Sequence, residues 1–237
     1  MANRLLPFRQ YNEHFVINLF SLDLSGLTSA ADLADFKHSD SSGIHDAGLL
    51  VKVSDAGSDI GAGYSDDGKG SDILNAYMGK TDYPHVARNV NPEAFAKFEM
   101  ANGTDTILGV TLNQTLAFDE NGEKMLYYRQ KLLEHQGVLP GEVVPVLTKG
   151  IITVAESAVL SGSEPTAGSA VYAAAQGKFR AGDPTNTSFA NTRVGTCLAV
   201  GTRDGGIYDG TNNPDYFAGD GSTSGGTGGY YIINLDL

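Results

Sequence analysis

Residues Gly137–Phe179 read GVLPGEVVPVLTKGIITVAESAVLSGSEPTAGSAVYAAAQGKF. Three short apolar runs lie inside this stretch, Val143–Leu147, Ile151–Val154 and Ala170–Ala174, with Gly, Pro and Ser between them. β-Branched side chains suit a pleated strand, and turn residues at such short intervals leave little room for a helix. The pattern predicts a small closed barrel or a sandwich of short strands. The stretch contains no His, no Cys and no clustered acid–base pair. It reads as architecture, and it points to a protein that works by binding as a rigid block.

Working outward, Gly48–Val53 (GLLVKV), Thr106–Leu112 (TILGVTL), Val194–Val200 and the closing YYIINLDL at 230–237 are further strands. In the pair Tyr230-Tyr231, strand alternation buries one ring and exposes the other. Residues 123–136, EKMLYYRQKLLEHQ, have helical composition, with Gly137 placed to end the helix as a C′ residue. Their apolar spacing is irregular, so an extended or kinked path stays open. EAFAKFEM after Asn91-Pro92 fits either a short capped helix or a strand, and a short helix also fits residues 30–36. Nothing alternates as strand–helix–strand, which argues against a doubly wound sheet. The expected fold is mainly β, a small β-barrel or sandwich with long loop insertions, an extended N-terminal arm and at most one or two short helices. The arm spans residues 1–24. The β-barrel domain spans 25–237 and carries an inserted subregion at about 54–100, which includes a polar, Gly- and Asp-rich excursion at 54–82.

A chain of 237 residues can bury a substantial core. Its formal net charge of −12 argues against nucleic acid as the partner, because phosphate neutralisation needs an excess of Lys and Arg. Charged residues make up only 19% of the chain, which suggests that part of its surface meets other protein. No apolar run approaches the roughly 20 residues that span a membrane. The opening MANRLLPFRQYNEH lacks the apolar core of a secretory leader, so synthesis in a reducing cytoplasm is expected. Cys197 is the single cysteine and reads as a small buried apolar residue. Charge is unevenly spread: Arg4 and Arg9 stand in the first ten residues without an acid, whereas the chain beyond Ala181 is rich in Asp. A basic, apolar arm of this kind either docks onto an acidic partner or lies over its own barrel.

Tests for chemistry return nothing specific. The histidines at 14, 38, 45, 85 and 135 lack the i, i+4 spacing of a zinc site, and His38 and His45 read as solvated loop residues. Asp55, Asp59, Asp66, Asp67 and Asp72 offer oxygen ligands for Ca²⁺, yet the ligand order and closing Glu of an EF-hand are missing. GSDIGAG at 57–63 lacks the Gly-Lys-Ser/Thr of a phosphate loop. There is no G-x-S-x-G elbow and no His close to Cys197 in sequence. No catalytic residue, metal or cofactor is assigned, and the chain is not read as an enzyme.

The order of motifs adds a resemblance. DAGLLVKV (46–53), GVTLNQT (109–115), NGEKMLYYRQK (121–131), LPGEVVPVLTKGIITV (139–154), GSAVY (168–172), VGTCLAVGT (194–202) and the final YYIINLDL resemble virion structural proteins of tailed bacteriophages, in particular capsid decoration (cement) proteins. The opening MANRLLPFRQYNEHFVINLF is similar to the start of marine-phage structural proteins. The resemblance implies a small β-barrel on the exterior of the mature head, commonly a homotrimer at capsomer junctions, with an N-terminal arm reaching a neighbour. The implied partners are the major capsid protein and further copies of the chain, without nucleic acid or membrane. The implied location is the virion, after synthesis in the host cytoplasm. On this reading Arg4, Phe8, Arg9 and Tyr11 form a capsid-docking arm. The chain departs from compact decoration proteins by its insertion at about 54–100. The alternative reading is a tail- or spike-located adhesin that binds a host glycan through the Gly/Ser/Thr/Asp-rich residues 201–229.

Overall fold

The computed structural model describes residues 4–23, 45–54, 96–119, 123, 125, 129–182, 193–203 and 228–237. His38, His85, residues 30–36, the acidic excursion beyond Ser54, most of the 54–100 insertion and nearly all of the 201–229 loop lie outside them. Along the chain the strands are β1 (Leu5–Gln10), β2 (Val16–Ile17), β3 (Ser21–Leu22), β4 (Leu50–Val53), β5 (Lys97–Met100), β6 (Gly109–Thr111) and β7 (Gln114–Thr115). A short helix α1 (Arg129–Glu134) follows. Then come β8 (Gly137–Val138), β9 (Val146–Leu147), β10 (Lys149–Ala155), β11 (Ala170–Ala173), β12 (Phe179–Ala181), β13 (Arg193–Arg203) and β14 (Gly228–Asp236).

Two six-stranded sheets carry the fold. Sheet A has the order β1-β10-β14-β13-β11-β12 and is antiparallel throughout. Sheet B has the order β2-β9-β6-β4-β5-β3, with the β3–β5 pair parallel. A parallel ribbon, β7-β8, stands beside them. The sheets keep separate edge strands and do not close, so of the two expected architectures the chain adopts the sandwich.

Strand alternation explains how one core serves both sheets. In β14, Tyr231, Ile233 and Leu235 point inward and are buried, while Tyr230, Ile232 and Asn234 point the other way. The long β10–β14 ladder, from Lys149 opposite Asp236 to Ala155 opposite Tyr230, places Ile152 and Val154 on the same inner face. Sheet B answers with Leu50, Val110 and Leu147, and all of these share one cluster with Leu5, Phe179 and Cys197. Each such side chain taken out of water contributes roughly 1.5–3 kcal/mol. The opposite face of sheet B is buried as well, where Leu49, Val51 and Val146 pack with Leu22, Phe98 and Val144.

Several details depart from the sequence reading. EAFAKFEM supplies strand β5, because Phe98 points into the second core while Lys97 and Glu99 point away from it. The residue in left-handed conformation after α1 is Gln136, with φ 50°, and not Gly137. Gly137 is needed for another reason: a Cβ there would come within 2.9 Å of Leu132 Cδ1. His45 is buried rather than solvated, since its backbone carbonyl accepts from Thr115 N–H at 2.8 Å and pins the turn before β4. Cys197 is buried, and burial pushes its thiol pKa up.

Candidate functional site

The N-terminal strand is where sequence and structure meet most directly. β1 is an edge strand of sheet A, with Leu5 opposite Val154, Arg9 opposite Ile152 and Gln10 opposite Ile151. The register slips between Leu5 and Arg9, so the intervening residues bulge and re-aim their side chains.

The bulge sorts the four predicted docking residues into two kinds. Arg4 is 5% exposed. Its Nε lies 3.4 Å from the Asp46 carboxylate, and its Nη1 donates to the Gln176 carbonyl at 3.0 Å. Burial lowers the Arg4 pKa and Asp46 partly restores it. Arg9 donates from Nε to the Leu6 carbonyl at 3.1 Å and from Nη2 to Gln136 Oε1 at 2.8 Å. Gln176 and Gln136 are the two non-glycine residues with positive φ among the described residues. Each arginine therefore fastens the strand to a tight turn elsewhere in the chain. Phe8 and Tyr11, by contrast, face outward, with Phe8 59% exposed and Tyr11 38% exposed.

The exposed apolar edge continues past the predicted residues. Asn12 caps a single 3-10 turn by accepting from His14 N–H at 3.0 Å, and this turn carries the chain from sheet A to sheet B. Phe15 stands exposed at its end, and Leu19 follows beyond β2. A wide hollow of about 850 Å³ lies between residues 10–15 and 149–151. Gly150 forms its floor with φ 145°, a conformation that favours glycine, and a Cβ there would strike Tyr11.

A second depression lies on the outward face of sheet A. This shallow groove, about 330 Å³, is lined by Leu6, Pro7, Phe8, Thr153, Tyr230 and Ile232. Thr153 is 5% exposed and its hydroxyl has no hydrogen-bond partner among the described residues. The Tyr230 ring lies against Gly201, where a Cβ would collide with it. The sequence carries a signal for this face. IITV at 151–154, apart from its one threonine, and YYII at 230–233 are apolar at consecutive positions, and a strand apolar on both sides has something to bury on both sides.

Among the described residues, no three His, Cys, Asp or Glu side chains are grouped to hold a metal ion, and no helix is long and apolar enough to cross a membrane. Residues 86–213, more than half of the chain, match the family described as Structural cement protein (E217 gp24/Pam3 gp6). The chain belongs to this family of phage structural cement proteins. It is a structural component of a phage capsid. Comparison with curated proteins and with solved structures finds no match. The stretch shared with the cement proteins includes β5 to β13 and excludes β1 to β4 and β14. Phe8, Tyr11, Phe15, Tyr230 and Ile232 thus lie outside the shared stretch, and folding brings them beside it.

Proposed function

We propose that this cement protein binds the outer surface of a tailed-phage capsid as a homo-oligomer and ties neighbouring capsomers together. The observation that carries the reading is the exposed edge of Phe8, Tyr11, Phe15 and Leu19, four large apolar side chains between residues 8 and 19 of a capsid structural protein. Phe8 and Tyr11 stand on, or directly after, a strand hydrogen-bonded into sheet A, so docking orders little new chain and loses little entropy. The partner is the major capsid protein. A lattice repeats its docking site many times, and an oligomer that engages several copies at once gains avidity without new contacts.

Arg4 and Arg9 support this surface by fixing the strand from behind, and Phe8 and Tyr11 meet the capsid. The role is structural, and no catalytic step belongs to it. The test is retention on purified heads of the parent phage. Phe8→Ser combined with Tyr11→Ser should lower retention at least tenfold while the protein remains folded, and undiminished retention would remove the edge from the docking surface. Removing residues 1–12 would be a poor substitute, because Leu5 and Leu6 are buried in the fold. A density map of the particle should place the protein on the head exterior at near-capsid stoichiometry. A few copies on the tail would favour the adhesin instead.

A further inference from the structure

We propose that a transverse cationic row on the outward face of sheet A, Lys149, Arg193 and Arg180 with Tyr172 among them, binds a carboxylate-rich segment of the capsid protein. The inference goes beyond the apolar edge at residues 8–19 and rests on the capsid-docking reading only for the identity of the partner.

Strand register builds the row. On β11, Val171 and Ala173 point into the core, so Tyr172 between them points outward. Its cross-strand neighbours are Arg180 on β12 and Arg193 on β13. Farther along the sheet, Lys149 of β10 stands opposite Asp236 of β14. The two groups meet electrostatically: Lys149 Nζ, 2.8 Å from Asp236 Oδ1, lowers the Asp236 pKa, and the charge of Arg193 lowers it further. Among the described side chains of the row, three cations therefore accompany one carboxylate, on a chain whose formal net charge is −12.

The row is held in place by the fold. Arg193 Nη2 donates to the Thr196 hydroxyl at 3.3 Å, and Arg180 Nε donates to the Ala181 carbonyl at 3.2 Å. The Tyr172 ring lies against Gly182, where a Cβ would collide with it. Two strand spacings, roughly 10 Å, separate the Arg180 and Arg193 backbones, so the two charges repel one another and an anionic partner relieves that repulsion.

Three features select a carboxylate-rich protein segment as that partner. Guanidinium forks match carboxylates in bidentate geometry. Lys149, Tyr172, Arg180 and Arg193 all lie within residues 86–213, the stretch that matches the cement proteins. Lys149 also lines the hollow beside Tyr11, so the row continues from the apolar edge across the sheet. A nucleic acid would instead carry its phosphates past the row and onto an acidic body.

The experiment is fluorescence anisotropy of labelled hexaglutamate with the purified full chain. At about 0.1 M salt the Debye length is about 10 Å, so the peptide senses the row more than the net charge of the body. Binding is expected there and should fall roughly tenfold or more at about 1 M salt. Arg180→Gln combined with Arg193→Gln should weaken it roughly tenfold or more, with an unchanged circular-dichroism spectrum. Arg193→Gln alone, at an exposed position, should weaken it by a smaller factor. Lys52→Gln, which removes a cation already paired with Glu99 and Asp105 on sheet B, should leave binding unchanged. No binding by the wild type, or equal losses from Lys52→Gln and the double variant, would overturn the proposal. So would a single-stranded DNA dodecamer bound as tightly as the peptide, or heads that retain the double variant as well as the wild type. Failure of the apolar edge looks different: Phe8→Ser with Tyr11→Ser would then leave head retention undiminished while hexaglutamate still binds.

Discussion

Sheet B and sheet A are built from similar residues and end in opposite situations. Sheet B is apolar on both faces and both are buried, by sheet A on one side and, on the other, with Phe20, Ala117, Val138 and Val144 from outside its strands. Sheet A is covered on its inner face, whereas its outward face keeps Phe8 exposed and Tyr230 and Ile232 half-buried. A strand that is apolar on both sides belongs between two layers. Sheet B has found both layers within its own chain. Among the described residues sheet A has found one.

The largest expected effect tests how firmly the N-terminal strand is fixed to this frame. Arg4→Met leaves the buried Asp46 carboxylate without its ion-pair partner and should cost about 3–5 kcal/mol in chemical denaturation. A change under about 1 kcal/mol would mean that the arginine is free to leave its own body, and it would return Arg4 to the docking surface.

Next comes the contrast between the sheets. Leu147→Ala, at a fully buried position of sheet B, should cost about 2–5 kcal/mol. Ile232→Ala on the outward face of sheet A should cost less than about 1 kcal/mol in dilute protein, where the face is uncovered. Equal losses at both positions would mean that sheet A is also covered within the single chain. The smallest effect is the most pointed. Thr153→Val removes a buried hydroxyl that lacks a partner among the described residues and should raise stability by about 1 kcal/mol. A loss there would reveal a hydrogen bond to the Thr153 hydroxyl in solution.

Much of the fold was legible in the sequence. The runs 151–154, 170–174, 194–200 and 230–237 each became a strand, because β-branched residues between turn formers leave a chain few alternatives. The paired tyrosines divided as alternation requires, with Tyr231 buried at 6% and Tyr230 on the outer face. The fold places the four arm residues of the sequence reading differently. Phe8 and Tyr11 face outward, whereas Arg4 and Arg9 turn inward onto residues more than a hundred positions away in the chain, Gln176 and Gln136. A basic strand with an open partner and a basic strand with a partner at home look the same in one dimension. The exposed Phe15 and Leu19 went unnoticed for a similar reason: an apolar residue in a strand-like run carries no mark of whether a second layer will cover it.

The sequence alone determined that this chain is mainly β, that its strands are short and paired by turns, and that it carries no local catalytic motif. Those properties follow from side-chain branching, alternation and turn chemistry, all of which act over a few residues. Tertiary structure decided that the strands form an open sandwich and that Arg4 is buried beside Asp46. It also decided that, among the described residues, the outward face of sheet A keeps Phe8 exposed. These outcomes depend on which surfaces meet across the whole chain, and no local pattern encodes that meeting.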